Sequence, residues 1–506
     1  MKKNMQRRFH FQVMTKNKYF NRKESIICLF MAILFVFTNS ISTSPLYRLT
    51  DRLNDSYIFQ IIGKYWNGNQ IPYVNLFDHK GPLIFFINAI GYKITGNRYG
   101  VFLIQIAFMY ITIVFTFRMF RDVFQNHIAF ILTVISLVGI SPLYQDGNLT
   151  EEYILPFLMM SFYFFEKWTT QLSEGYSRHK TIAAFTYGLT FGVAVMTRIT
   201  NAIGICFIVL FVMIILIKNQ EWKNLFQNMG SFIAGCLLIL LPFIIYFQMH
   251  GILQEMWFGT IGFNIEYLIN STNFVKHTSL LRRIYSFLLA YSSYFMAFAG
   301  IYVVTKKKSR FIGIFMITTS AVTTFMLATG RNYEHYYMIC LPYLVLSIIE
   351  LKKALHLNTK FIWKLNARKI IMICLVPCLL TGMIYLIRLY RVFSMPESDS
   401  DAIYEVMLPV QENDSFVAWD FSPYLYLKYD IEPCYKYFIL QPSQGNMSKK
   451  LESDIYKTFE NGNAKWILVK DGTQDKIQDI LDERYDIIKR VQGNNGELLL
   501  YSLHSR

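Results

Sequence analysis

Outside the basic clusters, mixed charge collects at a few points beside long apolar runs: Asp55, Asp78-His79-Lys80, Glu151-Glu152, Arg198, and Arg331-Asn332-Tyr333-Glu334-His335. Ionisable groups at a bilayer are costly to keep there and tend to be functional. A carboxylate can take the proton of an attacking hydroxyl. Lys, Arg or His donors held in place can stabilise the charge that grows on a departing phosphate. A face lined by Asp55, Asp78, Lys80, Glu151, Arg198 and His335 would suit transfer of a group from a lipid-borne phosphate to a hydroxyl acceptor.

Each of these residues also has a purely structural reading. Asp55 opens the amphipathic stretch Asp55–Ile62, and Asp is well suited to a helix N-cap. Asp78-His79-Lys80-Gly81-Pro82 reads as a turn into a helix with Pro at its first position, although a turn does not require three ionisable residues in a row. Thr150 can cap a helix whose first turn holds Glu151 and Glu152, a favourable dipole arrangement. Asn148-Leu149-Thr150 matches a glycosylation acceptor, which a bacterial composition and a membrane setting argue against. Arg198 is either a snorkelling interfacial side chain or a guanidinium for a lipid phosphate. The aromatics around His335 can form an interfacial belt.

The elements that must position these residues are membrane spans. The 506 residues are 53% hydrophobic and 17% aromatic, more apolar than a soluble chain. Apolar runs near twenty residues recur: Ser25–Ser42, Pro82–Ile94, Tyr99–Phe117, Ile128–Leu143, Tyr153–Phe165, Thr181–Met196, Ala202–Ile217, Met229–Met249, Ile284–Val304, Phe311–Thr329, Tyr337–Leu351 and Ile370–Ile387. If all crossed, Arg118, Arg121 and the Lys306–Arg310 cluster would face outward. Pro82–Ile94 is the weak run, too short for the roughly twenty residues a span needs. With that run kept outside as an interfacial helix, every basic cluster falls inside. About eleven spans then remain, the basic tail 1–24 is cytoplasmic, and the first outer loop extends over 43–98.

Net charge is +16, an excess that belongs to inner loops rather than to a nucleic-acid surface. The cysteines lie mostly within apolar runs and show neither zinc spacing nor a disulfide framework. From about residue 391 the character changes. Strand-like runs (Phe416–Trp419, Trp466–Val469, Leu498–Tyr501) alternate with polar helical stretches, Lys449–Phe459 and Thr473–Leu481. This predicts a small extracytoplasmic α/β domain over 391–506.

The parts suit one reaction in particular: attack of an acceptor hydroxyl on the anomeric carbon of a sugar carried on a polyprenyl phosphate. The run Gly68-Asn69-Gln70-Ile71-Pro72-Tyr73-Val74-Asn75-Leu76-Phe77-Asp78-His79-Lys80-Gly81-Pro82-Leu83, following Asn54-Asp55-Ser56, resembles the first loop of polyprenyl-phosphate-sugar-dependent bacterial membrane glycosyltransferases of the GT-C superfamily. That group includes protein O-mannosyltransferases and the aminoarabinose transferases of lipid A. Gram-positive members with a Phe-Asp-His-Lys-Gly-Pro-Leu signature are especially similar. Asn148-Leu149-Thr150-Glu151-Glu152-Tyr153 and His335-Tyr336-Tyr337 resemble the group as well, so the likeness covers roughly residues 25–390.

The resemblance implies an α-helical polytopic GT-C fold, and a first-loop Asp as general base in an inverting transfer. Asp55 matches that position. Several relatives have Asp-Glu where this chain has Asp55-Ser56, which leaves Asp51 as an alternative. The expected substrate-binding residues are Asp78, His79, Lys80, Glu151, Glu152, Arg198, Arg331 and His335. The expected partners are a polyprenyl-phosphate-linked sugar, a cell-envelope glycan, lipid or protein acceptor, and the lipid bilayer, with no nucleic acid. No cofactor is assigned, and metal dependence is left open: Asp55, Asp78, His79 and Glu151 could hold a divalent metal if they converged. A lipid-linked polysaccharide transporter would need charged or broken helices at the midplane and an internal repeat. A non-catalytic envelope-assembly scaffold would use the loops for partner binding alone.

Overall fold

A capping box starts the first helix. Asn21 accepts from the Glu24 N–H, and the Glu24 carboxylate accepts from the Asn21 N–H, so α1 (Arg22–Asn39) begins at a fixed residue. The computed structural model describes residues 21–49, 55–266 except 69, and 289–355 except 306–309 and 330–332. It also describes isolated positions between 383 and 390, and 400–504 except 440, 446–448, 463 and 495. Asp51, Arg331 and most of the Ile370–Ile387 run lie outside the described residues.

Three helices follow α1: α2 (Asp55–Trp66), α3 (Pro82–Thr95) and α4 (Arg98–Arg121). At one end, Glu24 at the start of α1 binds Arg121 at the end of α4 (2.7 Å), with both side chains buried. At the other end, Arg98 at the start of α4 donates to the backbone carbonyls of Ser42 and Tyr47, just past α1. The two helices are therefore antiparallel and share both ends. The chain thus leaves α1 and enters α4 at the same end of the pair. Within that connection α3 is short: its fourteen residues rise about 21 Å against a hydrocarbon core of about 30 Å. Gly96, left-handed at φ 73°, stops it, donating to the Tyr92 carbonyl (2.7 Å).

The bundle continues with α5 (Asn126–Ile140), α6 (Thr150–Ser173), α7 (Thr181–Thr197), α8 (Ile203–Lys218) and α9 (Trp222–Met249). The short α10 (Leu253–Trp257) precedes α11 (Tyr291–Thr305), α12 (Arg310–Thr329) and α13 (Leu341–Leu355). Polar ties sort the helix ends into two sets. Lys167–Asp122 (2.7 Å), Lys353–Glu166 (2.7 Å) and His179–Asn224 (2.8 Å) join ends of α4, α6, α7, α9 and α13 on the Glu24 side. Glu151–Arg198 (2.8 Å) and His335–Gln145 (2.8 Å) join residues on the Ser42 side. Among the described residues five helical segments are long and apolar enough to cross a membrane: Arg98–Arg121, Asn126–Tyr144, Ile199–Lys218, Trp222–Met249 and Arg310–Leu327. The chain is thus a multi-pass membrane protein, and the five segments counted among the described residues do not test the expected eleven spans. Pro82–Thr95 and Thr181–Thr197 are shorter apolar helices.

Beyond α14 (Ser400–Met407) the chain forms a four-stranded sheet in the order β1-β2-β4-β3. Strand β1 (Phe416–Trp419) lies parallel to β2 (Trp466–Lys470), and β4 (Gly496–Leu503) lies antiparallel to β2 and to β3 (Tyr485–Gly493). A parallel pair needs a crossover. Here it carries α15 (Tyr424–Lys428), α16 (Gln441–Gly445) and α17 (Lys449–Glu460), and α18 (Gln478–Arg484) precedes β3. Trp419, Ile455, Phe459, Ile467 and Leu481 pack together as the core on one face of the sheet. This unit grips the first loop. The Phe77 N–H donates to the Lys436 carbonyl (3.0 Å), Gln70 donates to Glu432 (2.6 Å), and Lys64 pairs with Asp430.

Candidate active site

Asp55 is the first residue of α2, and its side chain is 42% exposed. The Lys80 ammonium, 13% exposed, lies 3.6 Å from its carboxylate and sits over the Phe59 ring. Asp78 behaves differently. Its side chain is buried, accepts the Lys80 N–H (3.2 Å) and lies 3.4 Å from the His79 ring. Burial pushes the Asp78 carboxyl up, but Lys80 and His79 outweigh that and hold it below the ordinary carboxylate range. Burial also works against charge on Lys80, yet Asp78 and Asp55 together raise it above the usual lysine value. His79 faces Lys80 (3.1 Å) and packs on Phe263, and Tyr73 donates to the Lys80 carbonyl (2.7 Å).

Gly81 brings this loop to α7. Its N–H donates to the Thr197 carbonyl (2.9 Å), and a Cβ there would lie 2.3 Å from the Met196 carbonyl. Only glycine fits so close an approach. The next residue, Arg198, turns extended (φ −153°) and ends α7. Its guanidinium donates to buried Glu151 (2.8 Å) and lies 3.3 Å from the centre of the Tyr336 ring. Thr150 donates to the other Glu151 oxygen (2.8 Å). His335 meets Gln145 (2.8 Å) and stands in the field of Glu151, Asp55, Arg198 and Lys80. Burial lowers its ring below the ordinary histidine value, against the opposing pull of Glu151 and Asp55.

Asp55, Lys80, Glu151, Arg198 and His335 thus belong to one electrostatic cluster at the Ser42 end of the bundle, with Asp78 and His79 directly behind Lys80. Glu152 does not. Although adjacent to Glu151, it turns inward, where it accepts from Gln105 (3.0 Å), Tyr144 and the Asn148 N–H (2.8 Å). Consecutive helical residues point about 100° apart, so the pair could not share one face. Tyr336 was foreseen as part of an aromatic belt and of the His335-Tyr336-Tyr337 likeness, and its place against Arg198 needed the fold. Among the described residues no three His, Cys, Asp or Glu side chains are arranged to hold a metal. Asp78 and Glu151 are already engaged by cations.

The architecture is shared with solved structures. ArnT from Cupriavidus metallidurans, bound to undecaprenyl phosphate, matches with a TM-score of 0.57 at 13% identity, covering 96% of this chain and 99% of that one. Its apo form gives the same score and identity over 94% and 97%. The apo oligosaccharyltransferase of Archaeoglobus fulgidus gives 0.50 at 13% identity, covering 90% of this chain and 70% of that one. The chain therefore has the fold of the GT-C glycosyltransferases. No curated protein sequence matches it. Residues 15–396, more than half of the sequence, match the family described as "Putative competence-induced protein Ccs4 N-terminal domain", and the chain belongs to that family.

Proposed function

We propose that the protein transfers a sugar from a polyprenyl-phosphate carrier to a cell-envelope glycan, lipid or protein on the outer face of the cell membrane. The observation that carries this reading is the half-exposed Asp55 carboxylate beside the Lys80 ammonium, in the field of Arg198. Asp55 takes the acceptor's hydroxyl proton, the acceptor oxygen bonds to the anomeric carbon, and the carbon–oxygen bond to phosphate breaks. The electron pair leaves on the phosphate oxygen, where Lys80 and Arg198 offset the new charge. A single displacement of this kind inverts the anomeric centre. The N-terminal tail is then cytoplasmic and the sheet unit, from about residue 391, extracytoplasmic. The shared fold of an undecaprenyl-phosphate-bound structure supports a lipid-phosphate donor.

The test is sugar transfer from labelled polyprenyl-phosphate sugar in membranes. Asp55→Asn should lose turnover by about 10²–10⁴-fold, the scale of a general base, while inserting and folding normally. Undiminished transfer by that variant would remove Asp55 from the role. Absence of transfer by the wild-type protein across donor sugars would favour a transporter or scaffold.

A further inference from the structure

Asn148 stands in the left-handed region at φ +58° with its side chain fully buried. Asn enters that region more readily than most residues. Both polar atoms of its amide are engaged. Nδ2 donates to Ser56 Oγ (2.9 Å) and Asn88 Oδ1 (2.9 Å). Oδ1 accepts from the Tyr153 hydroxyl (2.7 Å) and Asn88 Nδ2 (3.2 Å). The backbone N–H of Asn148 donates to Glu152 (2.8 Å), whose carboxylate Gln105 on α4 also holds. Ser56 passes the tie on by donating to Ser42 Oγ (2.8 Å), beyond the end of α1.

One buried amide thus joins the first turn of α2, the middle of α3 and the first turn of α6. The same elements carry the site. Asp55 precedes Ser56, Lys80 lies in the loop that enters α3, and Glu151, which holds Arg198, stands in the first turn of α6. Asn88 and Ser56 each need a donor, and Asn88 and Tyr153 each need an acceptor. An amide supplies both kinds at once. Asn148 touches none of the charged side chains of the site, so any effect on them passes through these elements.

We propose that Asn148 is a positioning residue: its buried amide sets the distance of Asp55 from Lys80 and from the Arg198–Glu151 pair. The kinetic consequence rests on the glycosyl-transfer reading above, whereas the mechanical one does not. Asn148→Gly removes the amide while keeping a residue at ease with positive φ. Ser56→Ala removes one partner and leaves the loop backbone alone. Both variants should lower kcat by about tenfold to a hundredfold, the scale of a small misplacement of reacting groups, with KM for the labelled donor nearly unchanged. The double variant should be little worse than Asn148→Gly alone, because both break one tie.

Amide hydrogen exchange on the same proteins in detergent supplies a readout independent of turnover. Exchange should rise in the first turns of α2 and α6 and in α3, and not at the Glu24 end. Wild-type kcat in folded Asn148→Gly and Ser56→Ala, or exchange that rises uniformly or not at all, overturns the proposal. Localised exchange in the variants with no sugar transfer by the wild type leaves the tie standing and defeats the glycosyl-transfer reading instead.

Discussion

Asp55 and Asp78 sit in the same loop region and have opposite circumstances. Asp55 is half-exposed and has Lys80 at 3.6 Å; Asp78 is 3% exposed and serves the Lys80 backbone and the His79 ring. Asp78→Asn should therefore act on stability before chemistry, because it removes one member of a buried charge cluster. A loss of about 3 kcal/mol is expected, measurable as a lower thermal midpoint in detergent, and an unchanged midpoint would count against this role. His335 makes a pH-dependent prediction. Its folded ring is held below the ordinary value by burial, so the unfolded chain takes up a proton that the folded one refuses. That contribution to stability is present above about pH 6.5 and is lost as pH falls. His335→Gln, which can still meet Gln145, should flatten the fall in thermal midpoint between neutral pH and pH 5. Parallel slopes for variant and wild type would refute the assignment.

At the level of elements, the decisive contact is that of the loop before α3 with the end of α7. Gly81 allows it, and a methyl group there meets the Met196 carbonyl. Gly81→Ala should push Lys80 away from Arg198 and reduce turnover by about 10²-fold or more. Gly68→Ala, in the same loop with only an ordinary contact at 3.4 Å, is the control and should stay near wild type. Equal activities would show that the approach of loop and helix does not matter. The positive-inside rule favours an outside Pro82–Ile94, because that arrangement puts every basic cluster on one side. The antiparallel pairing of α1 with α4 puts the end of α1 and the start of α4, between which that run lies, at one end of the bundle.

Over the whole molecule, the sheet unit holds the loop that carries Asp78, His79 and Lys80. Phe77 is the keystone, buried between Phe263 and Tyr437, with its N–H on the Lys436 carbonyl. Phe77→Ala should cost about 3–5 kcal/mol of stability, the usual range for such a truncation. It should also loosen the adjoining Lys80. Thermal unfolding combined with the transfer assay checks both effects. A stable, fully active variant would mean that the sheet unit does not brace the loop. Strands β1, β2 and β4 coincide with runs read from the sequence, whereas β3 was not foreseen. It is the more exposed of the two edge strands, with Ile487 and Ile488 open to solvent, and a strand so little buried lacks the apolar pattern that marks a strand in sequence.

What the sequence determined by itself was a membrane protein, its sets of helix ends and the loop in which the charge collects. Apolar run length and the placement of Lys and Arg obey the bilayer, which acts on each segment separately. Partnership among the charged residues was decided only by the tertiary structure. Asp55 and Lys80 are separated by α2 and a loop, Glu151 and Arg198 by two helices, and the direction in which Glu152 turns depends on the buried groups awaiting it. Spacing along the chain carries no record of such meetings. They follow from how helices pack, and at Gly81 and Asn148 from how closely two backbones can approach and which buried polar atoms each leaves to be satisfied.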